Sequence, residues 1–481
     1  MPTHAFDVVI VGAGLSGVGA AHHIQSRLPG KTYAVLEGRE AMGGTWDLFR
    51  YPGIRSDSDM YTLGYSFRPW TSPKAIADGP SILAYIHDTA REAGIDGHIR
   101  YGQRVERAHW SSERGRWTID VRGQPNAYEA KFVFVCAGYY DYEKGYTPDF
   151  PGRERYRGRV VHPQAWPEDL PYEGKRVVVI GSGATAVTLV PALAKRAAHV
   201  VMLQRSPTYI IRAPSQDPIA DYLRGHLPAR AAYAATRWKN VALATAIYQF
   251  SRRRPERMKR FLRKQTEQAL RGKVDVDPHF APTYDPWDQR LCLVPDDDLF
   301  VSLREGRASV VTDHIETFTE TGLRLRSGAT IDADVVVTAT GLNLKFLGGM
   351  ELEVDGRRFE PSRSLAYKGL MLEGVPNLAL AIGYTNASWT LKCDLTCEYV
   401  CRLLAHMDQK GFTQCAPRRT GAVDELPLID FSSGYIQRAI DKFPRQGSKA
   451  PWRLYQNYAL DRLTLRHAPI ADGVLELKAG A

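Results

Sequence analysis

A chain of 481 residues, 44% apolar and 24% charged, is long enough for two or three domains that each bury a core, which excludes a single small module. A formal net charge of +10 raises nucleic acid or anionic lipid as partners, but no nucleic-acid-binding motif accompanies it, and no nucleic-acid partner is expected. The six cysteines, at 136, 292, 393, 397, 401 and 415, have neither CxxC spacing nor the framework of a secreted scaffold, so a reducing, cytoplasmic setting is expected.

The chain opens Met1-Pro-Thr-His-Ala-Phe-Asp7 with no basic stretch or cleavage-like site, which reads as the approach to a first strand rather than a signal peptide. No apolar run reaches the roughly 18 residues that a bilayer span needs. Phe6 to Val11 predicts a strand, Gly12-Ala-Gly14-Leu-Ser-Gly17 a glycine turn, the alanine-rich run after it a helix, and Tyr33 to Leu36 a second strand closed by Glu37. In such a βαβ unit the glycines admit a pyrophosphate to the backbone and the helix amino terminus faces its charge. The carboxylate accepts from a ribose hydroxyl, so FAD is the expected nucleotide. Gly43-Gly44-Thr45-Trp46 and Tyr51-Pro52-Gly53-Ile-Arg-Ser-Asp57 follow; in isolation the Pro-Gly pair is a turn and the tryptophan core. Phe132 to Gly138 predicts a buried strand stopping at glycine.

Tyr156-Arg-Gly158-Arg-Val-Val-His162-Pro-Gln-Ala-Trp166-Pro167 then precedes a second unit: a strand over Arg176 to Ile180, Gly181-Ser-Gly183-Ala184-Thr185-Ala186, a helical run, and a strand over Val200 to Leu203 that ends Gln204-Arg205-Ser206. Arginine at this strand end binds a 2′-phosphate that glutamate would repel, so NADPH is expected here. Two nucleotide units on one chain imply electron transfer between two cofactors. An insert of about 75 residues, 213–288, is long for a structureless connection, and its runs Tyr222 to Phe250 and Arg254 to Leu270 predict helices. Its stretch 252–273 carries ten lysines or arginines against two glutamates, a solvated face or a weak membrane-surface site. Asp334 to Gly341 predicts another buried strand ending at glycine. The expected fold is α/β, with two Rossmann-like dinucleotide-binding domains and a helical insert in the second: 1–145 and 343–481 for FAD, 146–342 for NADP. Near the end, Gly383-Tyr-Thr-Asn386-Ala-Ser-Trp389 predicts a strand-to-helix turn. In the helix after it, Cys393, Cys397 and Cys401 form a stripe expected to be buried, with no metal site.

The segment from Tyr156 to Pro167 resembles the (F/Y)xGxxxHxxxWP fingerprint of type I Baeyer–Villiger flavin monooxygenases, and Gly43 to Asp57 resembles that family's GGxWxxxx(F/Y)PGxxxD pattern at every specified position. The resemblance runs along essentially the whole chain. It implies an enzyme with tightly bound FAD that consumes NADPH and dioxygen, converts ketones to esters or lactones through a C4a-peroxyflavin, and oxidises some sulfide or thioamide sulfur. It makes Asp57 and Arg290 the catalytic pair, the cation stabilising developing anions. It assigns cofactor contacts to Gly44, Thr45, Trp46, Tyr61, Asn386 and Trp452, and a linker role, not acid–base work, to Gly158, His162 and Trp166. Gln289 departs from the lysine that better-known members carry before the arginine, which leaves more of the 2′-phosphate to Arg205. A flavin-containing N- or S-oxygenase and a basic membrane-surface or nucleic-acid-binding flavoprotein remain as alternatives, while a disulfide reductase would need a dithiol this chain lacks.

Overall fold

The computed structural model describes residues 4–479, so the part of the amino-terminal reading that rests on Met1 to Thr3 lies outside the described residues. Strand β1 (His4–Val11), helix α1 (Leu15–Arg27) and strand β2 (Tyr33–Leu36) form the first βαβ unit, with Val8 opposite Tyr33 and Val11 opposite Leu36 in parallel register. Val8, Val9 and Ile10 are fully buried in succession, because a parallel sheet is covered on both faces. Strand β3 (Ile99–Arg100) extends the sheet beyond β2. A meander of β4 (Val105–Ser111), β5 (Arg116–Val121) and β6 (Gln124–Val135) then leads back beside β1.

The second sheet is built from β7 (Arg159–Val161), β8 (Arg176–Ile180), helix α2 (Ala184–Leu193) and β9 (His199–Gln204). After the insert it gains β10 (Ala308–Thr312) and β11 (Val335–Thr338), giving the all-parallel order β10-β9-β8-β11-β7. The insert contains helices α3 (Pro218–His226), α4 (Ala229–Arg253) and α5 (Pro255–Leu270). The single helix expected from Tyr222 to Phe250 is therefore two. Pro228 excludes the helical conformation from the residue before it, and Leu227 sits extended at φ −123°, ψ 153°.

The chain returns to the first sheet through β12 (Glu351–Val354), β13 (Arg357–Arg358) and β14 (Leu378–Leu380), so that sheet runs β13-β12-β4-β5-β6-β1-β2-β3 with β14 also beside β6. The outgoing and returning connections lie side by side. Tyr140 bridges Leu344, Lys345 N donates to Tyr139 O at 2.9 Å, and Tyr146 N donates to Gly341 O at 3.1 Å. Helix α6 (Trp389–Lys410) packs along α1, and Cys393, Cys397 and Cys401 are buried as the expected stripe. Helix α4 is pinned to the first unit by Arg237, whose buried guanidinium donates to the carbonyls of Tyr61 (2.7 Å) and Gly64 (2.9 Å) and lies 3.5 Å from Asp394. Those partners offset the cost of burying the charge. Among the described residues, no helix is long and apolar enough to cross a membrane.

Candidate active site

A cleft of about 1140 Å³ lies between the two sheets and is lined by both glycine turns. In the first turn Gly12 has φ +101°, and a Cβ there would sit 2.8 Å from the Cys136 carbonyl; one on Gly17 would lie 1.8 Å from Gly12 O. Side chains are thus excluded and the bare backbone faces the cleft at the start of α1, as a pyrophosphate requires. Glu37 is buried at the end of β2, and its carboxylate accepts from Ala13 N (2.8 Å) and Arg39 N (3.0 Å). Burial raises its pKa against the pull of those bonds and of Arg39. Gly44, Thr45 and Trp46 also line the cleft; Gly44 packs on Gly14, and the Thr45 hydroxyl lies 3.2 Å from that of Tyr142. The donor set and the cradle fit an adenine dinucleotide.

The second turn repeats the backbone and not the surroundings. Gly181 has φ +137°, and a Cβ would sit 2.3 Å from Ala339 O, so both first glycines wedge against the end of a crossover strand. Gly183 and Ala184 are exposed, Thr185 is half-buried, and Ser182 Oγ donates to Ser206 O at 2.9 Å. Ala186 is fully buried and faces the core. Arg205 is exposed at the cleft rim with no carboxylate partner among the described residues.

The Pro-Gly turn of the first unit docks onto the second. Gly53 has φ +78°, and a Cβ there would meet the Ala192 methyl at 2.7 Å and Thr188 O at 3.0 Å, both on α2. Four residues later Asp57 reaches Arg290 across the cleft. Its Oδ2 lies 2.6 Å from Nε and its Oδ1 3.0 Å from Nη2, a two-point pairing that fixes the plane of the guanidinium. Arg290 keeps 35% of its side chain exposed to the cleft. Burial pulls its pKa down, but the Asp57 carboxylate and the nearby Tyr139, Tyr435 and Tyr140 rings outweigh that and raise it, so it stays cationic. Cys292, two residues on, is pushed up to about 12 by burial and is inert as a thiol.

Other expected residues stand back from the cleft. Tyr61 is buried beneath it in the core, where its backbone carbonyl receives Arg237. Asn386 turns away and donates from Nδ2 to Gln456 O at 2.9 Å, while its neighbours Thr385 and Ala387 and the first helical residue Trp389 line the cleft. Trp452 is 3% exposed, packed edge-on against Tyr367 and clear of the lining, because its segment folds onto the core rather than over the opening. Gly158, His162 and Trp166 also lie outside the lining. His162 sits at the crossover, with Nε2 3.1 Å from Gly341 O and Nδ1 accepting from Gln164 N at 3.1 Å; burial lowers its pKa and favours the neutral ring. The hydroxyl of Tyr156 donates to Ala333 O at 2.9 Å, and a Cβ on Gly158 would strike it at 2.3 Å. The sequence analysis missed Tyr139, Tyr140, Tyr435 and Arg438 in the lining. Tyr139 and Tyr140 directly follow the glycine of the first crossover, a position that could have flagged them; the other two carry no motif.

Two dinucleotide units facing one cleft, with a carboxylate-held arginine between them, define a two-nucleotide flavin oxidoreductase. Residues 9–222 match the pyridine nucleotide-disulphide oxidoreductase family model. Over 474 residues the chain is 54% identical to the FAD-containing monooxygenase EthA of Mycobacterium tuberculosis, covering 98% of this chain and 97% of that one. The EthA of Mycolicibacterium smegmatis is equally similar, at 54% identity with 98% and 96% covered. The chain belongs to the FAD-containing monooxygenase family. Its fold is shared with an oxidised steroid monooxygenase bound to NADP (TM-score 0.75, 24% identity, 99% of this chain and 100% of that one). It is also shared with the open form of cyclohexanone monooxygenase (TM-score 0.74, 20% identity, 99% and 100%).

Proposed function

We propose that the chain is an NADPH- and dioxygen-dependent Baeyer–Villiger monooxygenase, converting ketones to esters or lactones and also oxidising sulfide or thioamide sulfur. The observation that carries this reading is the two-point Arg290–Asp57 pair set between the nucleotide units. Bound FAD supplies the acceptance of hydride and the activation of oxygen. Gly12, Gly14 and Gly17 receive its pyrophosphate and Glu37 its ribose, which makes residues 1–145 and 343–481 the FAD portion and 146–342 the NADP portion. Gly181, Gly183, Ala184 and Thr185 present the second turn, with Arg205 and Ser206 at the strand end for a 2′-phosphate. Arg290, unable to give up its proton, stabilises the negative charge that develops on the substrate's carbonyl oxygen, and Asp57 holds it in position without being consumed. Phe431, Ile429 and Tyr435 wall the same space and keep water from the substrate.

The test is turnover of linear and cyclic ketones with isotopic dioxygen. Wild-type protein yields ester carrying one labelled oxygen, whereas Arg290→Ala keeps flavin reduction by NADPH and forms no ester. Ester from the variant would remove the arginine from this role; sulfoxide without ester from the wild type would favour the N- or S-oxygenase alternative.

The insert supports peripheral contact with an anionic lipid surface. Helix α4 exposes Trp238, Leu243 and Phe250, and α5 exposes Phe261 beside Arg257 and Lys264, which have no carboxylate partner among the described residues. Co-sedimentation with phosphatidylglycerol vesicles should be strong at low salt and fall steeply as salt is added. No binding at low salt would remove this contact.

A further inference from the structure

Several arginines of the cleft wall are paired with carboxylates. Arg39 meets Asp47 at 2.6 Å, Arg55 binds Asp298, and Arg290 binds Asp57. Arg205, at the end of β9, and Arg438, in the segment that follows the turn at Gly434, line the cleft with no carboxylate partner among the described residues. They converge: a Cβ on Gly434 would lie 3.5 Å from Nη1 of Arg438 and 3.9 Å from Nη2 of Arg205. Two permanent cations facing one spot repel each other, and partial burial together with Arg205 pulls the pKa of Arg438 below its ordinary value. Arg438 is nevertheless held there by neutral groups, its guanidinium 3.4 Å above the Tyr146 ring centroid and its Nη2 3.3 Å from Leu342 O. A fixed, uncompensated pair of forks is a site that a dianion completes.

We infer that Arg438 is the second cation of the nucleotide's 2′-phosphate site, supplied by the carboxyl-terminal third of the chain in place of a charge at position 289, where glutamine stands. The inference rests on the NADPH reading above and deepens it. The phosphate would then bridge Arg205 on the second sheet to the segment that carries Tyr435, which lines the same cleft as Arg290. Choice of nucleotide and ordering of the cleft wall become one event.

Calorimetric titration of the FAD-loaded protein with adenosine 2′,5′-bisphosphate and with adenosine 5′-monophosphate tests this. The wild type should prefer the bisphosphate. Arg438→Gln should lose about 10- to 100-fold in affinity for it, as expected for one charge-assisted contact, with the monophosphate unchanged and Arg438→Lys intermediate. The KM for NADPH should rise in parallel. Undiminished bisphosphate binding by Arg438→Gln, with discrimination intact in the wild type, overturns the assignment of Arg438 and leaves the NADPH reading standing. Equal loss for both nucleotides also overturns it, by showing a general structural role. A wild type that binds the two nucleotides equally overturns the NADPH reading and this inference with it.

Discussion

The two glycine turns share a backbone and a first glycine wedged against a crossover strand, and differ in what surrounds the rest. In the first, Gly14 is roofed by Gly44, the Tyr142 hydroxyl reaches Thr45, and Glu37 is buried with two backbone donors. In the second, Gly183 and Ala184 lie open and the residue at the strand end is an exposed arginine. The first turn is the more covered of the two, whereas the second lies open at the rim. The contrast matches the two roles in the proposed reaction: a flavin that stays and a nicotinamide nucleotide that exchanges.

The third position of each turn offers the largest expected effect. Gly17→Ala should yield protein without FAD, because its methyl would lie 1.8 Å from Gly12 O, a backbone atom that cannot give way. Ala186→Gly, the same exchange reversed in the second unit, should cost only about 1 kcal/mol of helix stability and keep full FAD content. Flavin absorbance per chain and thermal melts of the two variants decide it, and retained FAD in Gly17→Ala would show that the turns are not as different as their packing. Next in size, Arg205→Gln should raise the KM for NADPH by about 10- to 100-fold and leave FAD content unchanged, measured by steady-state NADPH oxidation.

The smallest effect concerns Glu37 in protein stripped of FAD. Burial raises its folded-state pKa above the ordinary 4.5, so the folded chain holds a proton that the unfolded chain releases. This contribution to stability is fully present below the ordinary glutamate value and is lost as pH rises through the raised folded one. Thermal melts of the stripped protein against Glu37→Gln should show the wild type losing ground to the variant over that window. Parallel curves would mean that the carboxylate is solvated after all.

Both βαβ units were legible because glycine spacing, an apolar strand on each side and the residue closing the second strand all act within some thirty residues. The Asp57–Arg290 pair spans 233 positions and was legible only through resemblance to a family; no local pattern brings those two side chains together. Resemblance also has a limit that Tyr61, Asn386 and Trp452 expose. A motif marks a segment, but which of its side chains faces the cleft depends on how the segment packs, and at 385–389 it is the neighbours of Asn386 that face it. The break at Leu227 was written in the sequence as Pro228, and the apolar, alanine-rich run around it hid the signal. Tyr435 lies in a four-residue helix, Gly434–Gln437, with Arg438 at its end, too short to show periodicity, and nothing in their spacing points to a rim more than two hundred residues earlier in the chain.

The crossover pair bonded at Tyr140–Leu344 and Tyr146–Gly341 has a consequence for engineering. Departure and return are adjacent, so the whole second unit is spliced into the first at a single seam, like a cassette. A short loop from Tyr146 to Gly341 would close the seam on the first sheet, whose strands are all drawn from outside the cassette. On the proposed assignment of the nucleotides, exchanging that cassette between relatives would replace the electron-donor site and leave the first glycine turn uncut.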